Sequence, residues 1–230
     1  MIVLTNDDGI DAPGIQALYQ AVTRVANSGT PVGIVAPDQH LSGCSHQINR
    51  GGAIAVTQQT EQRYAISGTP ADCTRVAHHL YPKLDWLLSG INDGGNLGAD
   101  TYVSGTVAAA REATLLRVPA IAISHYKSRG MSIDWAVAAH RTARILKVLM
   151  DKPLEPGQFW NVNLPAVATT APEPSIVFCS VCTQPLPTQS SLEAGQFRYT
   201  GAYQARQRDA GADVDVCFTG NISVSKVSLW

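Results

Sequence analysis

The chain has 230 residues, 45% of them hydrophobic and 15% charged, with a net charge of −1 and a mean hydropathy of −0.01. That length suits one large α/β domain, and the lack of a basic excess excludes a protein that works by neutralising a nucleic-acid duplex or a membrane surface. No apolar run approaches the ~20 residues of a bilayer span, and five scattered cysteines point to free thiols in a reducing compartment, the cytoplasm.

Residues 2–5 are apolar or β-branched and predict a short buried strand. Asn6-Asp7-Asp8-Gly9 breaks it too soon for a signal peptide. Pro13 suits a first helical position, and Ile15, Leu18, Tyr19, Val22 and Val25 share one helical face. Residues 32–37 form the next strand, so the chain opens with a βαβ unit, which favours a parallel sheet and a right-handed crossover. Residues 54–57 and 64–67 read as a hairpin. Thr69 then caps a helix that has Pro70 in its first position and Asp72 in its first turn, and that runs to about Tyr81. Residues 85–91 predict another buried strand, ending in a polar, Gly-rich loop over 92–106. A helix from Gly105 to about Arg117, a strand over 120–124 and an amphipathic helix from Ser132 complete a compact α/β core over 1–150. Residues 151–230 read as a β-rich extension of the same domain, with strands near 159–164, 175–181 and 221–229 and an exposed loop or arm over 186–196. Cys179 and Cys182 form a C-x-x-C inside that β-like run, where packed small residues are favoured over a metal or redox pair.

In an open parallel sheet, ligands bind beyond the carboxyl ends of the strands. Three polar segments stand there: 6–9, 38–46 and 92–106. Asp7 and Asp8 are central. Adjacent carboxylates repel, and one is forced to hold its proton unless a cation offsets the charge. A hard divalent ion does so with a few carboxylates plus neutral oxygens and water, and Ser42 and Asn92 supply neutral oxygens on the neighbouring loops. No Cys/His cluster accompanies them, so Mg²⁺ or Mn²⁺ fits better than zinc. The competing reading is an Asx-turn that only caps the next helix; two aspartates in tandem favour the metal. Residues 92–106 read as an anion cradle. Gly90, Gly94, Gly95 and Gly98 let the backbone turn, and Ser104-Gly105-Thr106 opens a helix whose free N–H groups favour phosphate. The alternative is a plain Ser cap after a flexible loop. The segment is neither a P-loop nor a G-x-G-x-x-G turn. His40 and His46 flank Ser42 and could meet a substrate, although no direct role is the favoured reading for either, and His78 and His79 read as surface or packing residues. Cys44 has no His/Asp partner that would make it a nucleophile.

Taken in order, NDDGIDAPGIQAL, VAPDQHLSGCS, SGTPADC, SGINDGGNLGADTYVSGTVAAAREA and PAIAIS resemble the SurE (survival protein E) family of metal-dependent nucleotidases, almost continuously from Met1 to about Ser124. The resemblance implies an α/β, Rossmann-like three-layer core with a mostly parallel sheet and a β-rich C-terminal extension used in oligomerisation. It implies hydrolysis of nucleoside 5′- and 3′-monophosphates with one Mg²⁺ or Mn²⁺ per subunit on Asp7, Asp8, Ser42 and Asn92. Phosphate is expected near Asn96, Ser104, Gly105 and Thr106, with Asp7 or Asp8 taking the proton of the attacking water. A homodimer or homotetramer is expected, with the C-terminal region reaching over a neighbour. Two positions depart from the family pattern. Leu41 stands where the family usually has Arg, and Gly94-Gly95-Asn96 replaces Gly-Pro-Asn. The alternative is a non-catalytic nucleotide sensor on the same fold.

Overall fold

The structure, a computed structural model, describes residues 1–128 and 130–230. Strand β1 (Ile2–Thr5) runs into helix α1 (Pro13–Thr23) and returns as β2 (Val32–Pro37). A hairpin of β3 (Val56–Thr60) and β4 (Arg63–Ile66) precedes α2 (Pro70–Leu80). Then come β5 (Trp86–Asp93), a one-turn helix α3 (Asp100–Val103), α4 (Gly105–Leu115), β6 (Ala120–His125) and α5 (Trp135–Leu149). The last third adds β7 (Gln158–Leu164), β8 (Ile176–Phe178), a separate hairpin β9 (Ser190–Glu193) and β10 (Gln196–Tyr199), α6 (Asp213–Phe218) and β11 (Ile222–Ser228).

Among the described residues the main sheet has nine strands in the order β3-β4-β2-β1-β5-β6-β7-β11-β8. β4, β2, β1, β5, β6 and β7 are mutually parallel, while β3 runs against β4, and β11 runs against β7 but parallel to β8. The alternation of β1 shows why helices cover both faces. Ile2 and Leu4 pack with Ile15 and Leu18 of α1 and with Ala138 and Leu146 of α5. Val3 points the other way, onto Cys73 and Ala77 of α2 and Val107 and Ala110 of α4. Residues one apart on a strand face opposite sides, so an all-apolar strand needs a layer on each.

The helix starts follow from their first residues. Thr69 and Asp72 form a reciprocal capping box ahead of α2, Ser104 accepts from the Val107 N–H at 3.1 Å, and Asp134 accepts from Ala136 and Val137 at 3.0 and 3.1 Å. Close approach explains two glycines. A Cβ on Gly14 of α1 would fall 1.9 Å from the Ile91 carbonyl oxygen of β5, and one on Gly90 would fall 2.2 Å from that of Ile123 in β6.

Several elements differ from the sequence expectation. The hairpin lies over 56–66, shifted from 54–67, and β5 continues to Asp93 past an irregularity between Ser89 and Asn92. The run over 175–181 yields only the three residues of β8. The expected loop over 186–196 contains β9, one strand of a two-stranded ribbon whose other strand, β10, starts at Gln196, and α3 and α6 are additional. All five cysteines are free, with Cys182 buried and Cys179 partly so. No helix among the described residues is long and apolar enough to cross a membrane.

Candidate active site

β1 and β5 end side by side, so their terminal residues meet beyond the carboxyl edge of the sheet. The turn after β1 is held by its own polar groups. Asn6 donates its amide to the Gly9 carbonyl at 2.8 Å, and Ile10 N–H bonds Pro37 O at 2.8 Å. Gly9 has φ +104°, a left-handed value that disfavours a side chain. The loop after β2 is pinned at both ends. Leu41 N–H donates to the Asp7 carbonyl at 2.7 Å, and Ser45 N–H to the Val103 carbonyl at 3.1 Å. Ser42, exposed, is therefore held next to Asp7 although it lies 35 residues further along the chain.

Asp7 is 3% exposed. One carboxylate oxygen accepts from the Thr106 hydroxyl, at the start of α4. A Cβ on Gly105 would sit 2.9 Å from both Asp7 Cβ and Oδ2 and 2.8 Å from Cys44 Sγ, so glycine is what lets α4 close on this carboxylate. Asp8 accepts from the Asp93 N–H at 3.0 Å and lies 3.3 Å from His40 Nδ1. Asn92, 8% exposed, commits its amide nitrogen to the Gly94 carbonyl at 2.8 Å. Its Oδ1 is thereby left as the group's acceptor.

Burial pushes the Asp7 carboxyl up from its ordinary range, and the neighbouring Asp8 charge adds to that against the Thr106 hydrogen bonds. Burial also raises Asp8, with the Asp93 charge adding, against the Asp93 N–H, His40 and Lys127. Both proton affinities rise first because the corner is poorly solvated, and a neighbouring carboxylate adds to each, Asp8 for Asp7 and Asp93 for Asp8. A divalent cation relieves that same electrostatic problem. Among the described residues no group of three His, Cys, Asp or Glu gathers as a metal site. A cation here has to draw on neutral oxygens, and the Asn92 amide and Ser42 hydroxyl fit a hard ion. Burial and the Asp7 charge push the Cys44 thiol up to about 11, which keeps it protonated near neutrality and makes it a poor nucleophile.

The residues read as a phosphate cradle divide in two. Ser104 and Gly105 open α4 at the Asp7 carboxylate, but the Thr106 hydroxyl is spent on Asp7. Asn96 is 7% exposed and tied inward. Its N–H bonds Asn163 Oδ1 at 2.8 Å, its side-chain amide bonds the Ser124 hydroxyl at 2.8 Å, and its carbonyl accepts from Asn161 and Asn163 at 2.9 and 3.0 Å. The Asn-x-Asn of β7 was the visible signal for this network, since two amides at a spacing of two on a buried strand share one face. The histidines also part company. His40 meets Asp8, whereas His46 Nε2 lies 2.8 Å from Glu112 of α4, which Arg75 of α2 also contacts at 2.6 Å. Beyond Asp8, Lys127 pairs with Asp93 at 2.9 Å; sequence reasoning did not single out either residue.

The chain matches the family described as Survival protein SurE over residues 2–186. A protein of Nostoc sp. that carries a provisional 5′-nucleotidase name is 49% identical over 229 residues, 99% of each chain. A protein of Desulfitobacterium hafniense named 5′-nucleotidase SurE is 44% identical over 169 residues, 71% of this chain and 64% of its own. Among solved structures, the SurE protein of Aquifex aeolicus superposes with a TM-score of 0.83 at 29% identity, covering 100% of this chain and 93% of that one.

Proposed function

The chain belongs to the survival protein SurE family, and from that premise we propose that it is a metal-dependent nucleotidase that releases phosphate from nucleoside 5′- and 3′-monophosphates. The observation that carries this reading is the meeting of Asp7 with the N-terminus of α4. A cation-holding carboxylate and an anion-favouring helix end occupy one corner, as a metal–phosphate pair requires. Asp7, Asp8, Ser42 and the Asn92 amide oxygen would hold one Mg²⁺ or Mn²⁺. Such an ion supplies Lewis-acid polarisation of the phosphoryl group and makes an attacking water more acidic.

The chain's own groups do the rest. The opening turn of α4, Ser104 to Thr106, presents the helix's positive end to the phosphate, and Asn96 braces the loop that leads into it. Thr106 and the missing Cβ of Gly105 fix where Asp7 stands. Asp8 is taken as the proton acceptor of the pair, because it is the less buried of the two and so the more open to a water. His40, 3.3 Å away, is placed to pass that proton to solvent. Leu41 brings no charge to this rim, so base and sugar are held by contacts other than an arginine there.

The same reading treats 151–230 as an extension of the 1–150 core, because β7 pairs directly with β6. It makes the β9–β10 ribbon, with Leu192, Phe197 and Tyr199 exposed, the contact between copies in a homodimer or homotetramer, and it places the enzyme in the cytoplasm, where free thiols persist. The test is phosphate release from a panel of nucleoside monophosphates with Mg²⁺ or Mn²⁺ and then with EDTA. Release that EDTA abolishes supports the reading. A folded, metal-supplemented protein that releases none would instead be a nucleotide sensor.

A further inference from the structure

Beside this corner a cleft of about 440 Å³, counting its open mouth, lies between the end of β6, the first turns of α5 and the segment after β7. It is one step from Asp8. Asp93, whose N–H holds Asp8, pairs in register with His125 and forms an ion pair with Lys127, and both of these line the cleft. Its walls include Tyr126, Ile133 and Val137. Arg141 of α5 lines it too and is only 2% exposed. Among the described residues its Nε has no hydrogen-bond partner, and its carboxylate neighbour, Glu173, stands 3.7 Å away and is also held by Arg144. A buried guanidinium has five N–H donors and is costly to leave undersupplied with acceptors. His125 is no rival cation. Burial lowers its proton affinity, Arg141's charge adds to that, and its Nδ1–H is spent on the Tyr126 carbonyl at 2.9 Å.

A cleft that sets Tyr126, Ile133 and Val137 beside a buried guanidinium, and that joins Asp8 through Asp93, is matched by a heterocycle that presents acceptors. We propose that this cleft receives the base of the nucleotide and that Arg141 selects bases with a carbonyl acceptor edge, the 6-oxopurines above all. Guanine offers O6 and N7 as adjacent acceptors to a guanidinium, whereas adenine sets an amino donor beside N7. The inference rests on the nucleotidase reading and deepens it by naming the substrate class.

Two variants test it. Arg141→Met removes the donors and leaves Glu173 with Arg144, and Val137→Phe narrows the slot without touching a charge. Initial rates are measured with GMP, IMP, AMP and the base-free ester ribose 5-phosphate, and guanosine binding is measured by calorimetry, which needs no turnover. The wild type is expected to favour GMP and IMP over AMP. Each variant should lose about 10-fold or more in kcat/KM for GMP, the order of one Arg–base contact, with ribose 5-phosphate unchanged and guanosine binding weakened to match. Equal loss on all four esters would show a structural role and overturn the proposal, as would unchanged guanosine binding in both variants. A wild type that binds guanosine through Arg141 yet hydrolyses none of the esters would overturn the nucleotidase reading and leave the base site standing.

Discussion

Gly105→Ala isolates the contact on which the site is built. The new methyl would lie 2.9 Å from Asp7 Cβ and Oδ2 and 2.8 Å from Cys44 Sγ. Reaching ordinary contact requires each to open by about 0.5 Å. Overpacking of this kind costs about 1–3 kcal/mol. Alanine returns up to about 1 kcal/mol as a better helix former. The net loss of about 0–3 kcal/mol corresponds to a fall in Tm of roughly 0–12 °C for a chain of this length. The effect on chemistry should be larger than that on stability. A carboxylate displaced by even part of an ångström loses its alignment, and a misplacement of about 1 Å costs about 10²-fold in rate. Phosphate release, Mn²⁺ calorimetry and thermal unfolding of the same preparation separate the two. Cys44→Ala alone should behave as wild type, and adding it to Gly105→Ala should not restore activity, because the Asp7 contacts remain. Wild-type turnover and Mn²⁺ affinity in Gly105→Ala, or full rescue by Cys44→Ala, would refute the reasoning that Asp7 is the constrained group.

Asp8→Asn keeps the shape that accepts the Asp93 N–H and removes the charge. It should weaken Mn²⁺ binding and slow phosphate release by about 10²-fold or more; near-normal release would end the case for Asp8 as base and ligand. Gly14→Ala drives a methyl to 1.9 Å from a backbone oxygen that no rotamer can move, so it should be insoluble or unfold about 10 °C lower, and a wild-type melting curve would contradict the packing of α1 on β5. Burial pushes the Glu112 carboxyl up, but the His46 hydrogen bond and the Arg75 charge outweigh it and hold it below its ordinary value of 4.5. A depressed carboxyl contributes stability that is complete above that ordinary value and is lost as pH falls through the folded one. Urea midpoints should therefore show Glu112→Gln less stable by about 1.5–3 kcal/mol at pH 7, with the gap closing as pH drops below 4.5. A gap that stays constant with pH would show that the charge plays no part.

The core of the fold was legible because its strands are short apolar runs that each end in a polar or glycine break, and because Thr69-Pro70-Ala71-Asp72 spells a helix start in four residues. The elements that escaped are those whose order comes from elsewhere. α6 is six residues with two aspartates and three β-branched or cysteine positions, poor helix material that is held by packing around Leu97 and Tyr126. β9 and β10 are almost wholly exposed and have no apolar alternation facing a core. The tandem Asp7-Asp8 and the neighbouring Ser42 and Asn92 stood out through local chemistry. The roles of Thr106, Asp93 and His40 did not, since each depends on which strand end lies beside which loop. Composition around Arg141 gave no sign of its burial, because a cation on an amphipathic helix ordinarily marks the solvent face.

Strand β1, interior to the sheet, is made before the other strands it pairs with, and this has a consequence for the nascent chain. β1 finds a neighbour on one side in β2, but on the other only in β5, and the Asp7 carboxylate meets Thr106 across 99 positions. At ~5–20 residues per second, about 5–20 s of translation separate the two. Throughout that interval an apolar strand with two carboxylates at its tip waits beside the ribosome with one flank unpaired. Those charges, hydrated and mutually repelling, discourage the waiting edge from joining a second nascent copy, as inward or terminal charges do on exposed strands generally. The pair proposed as the reactive corner would thus also act as a temporary guard during synthesis.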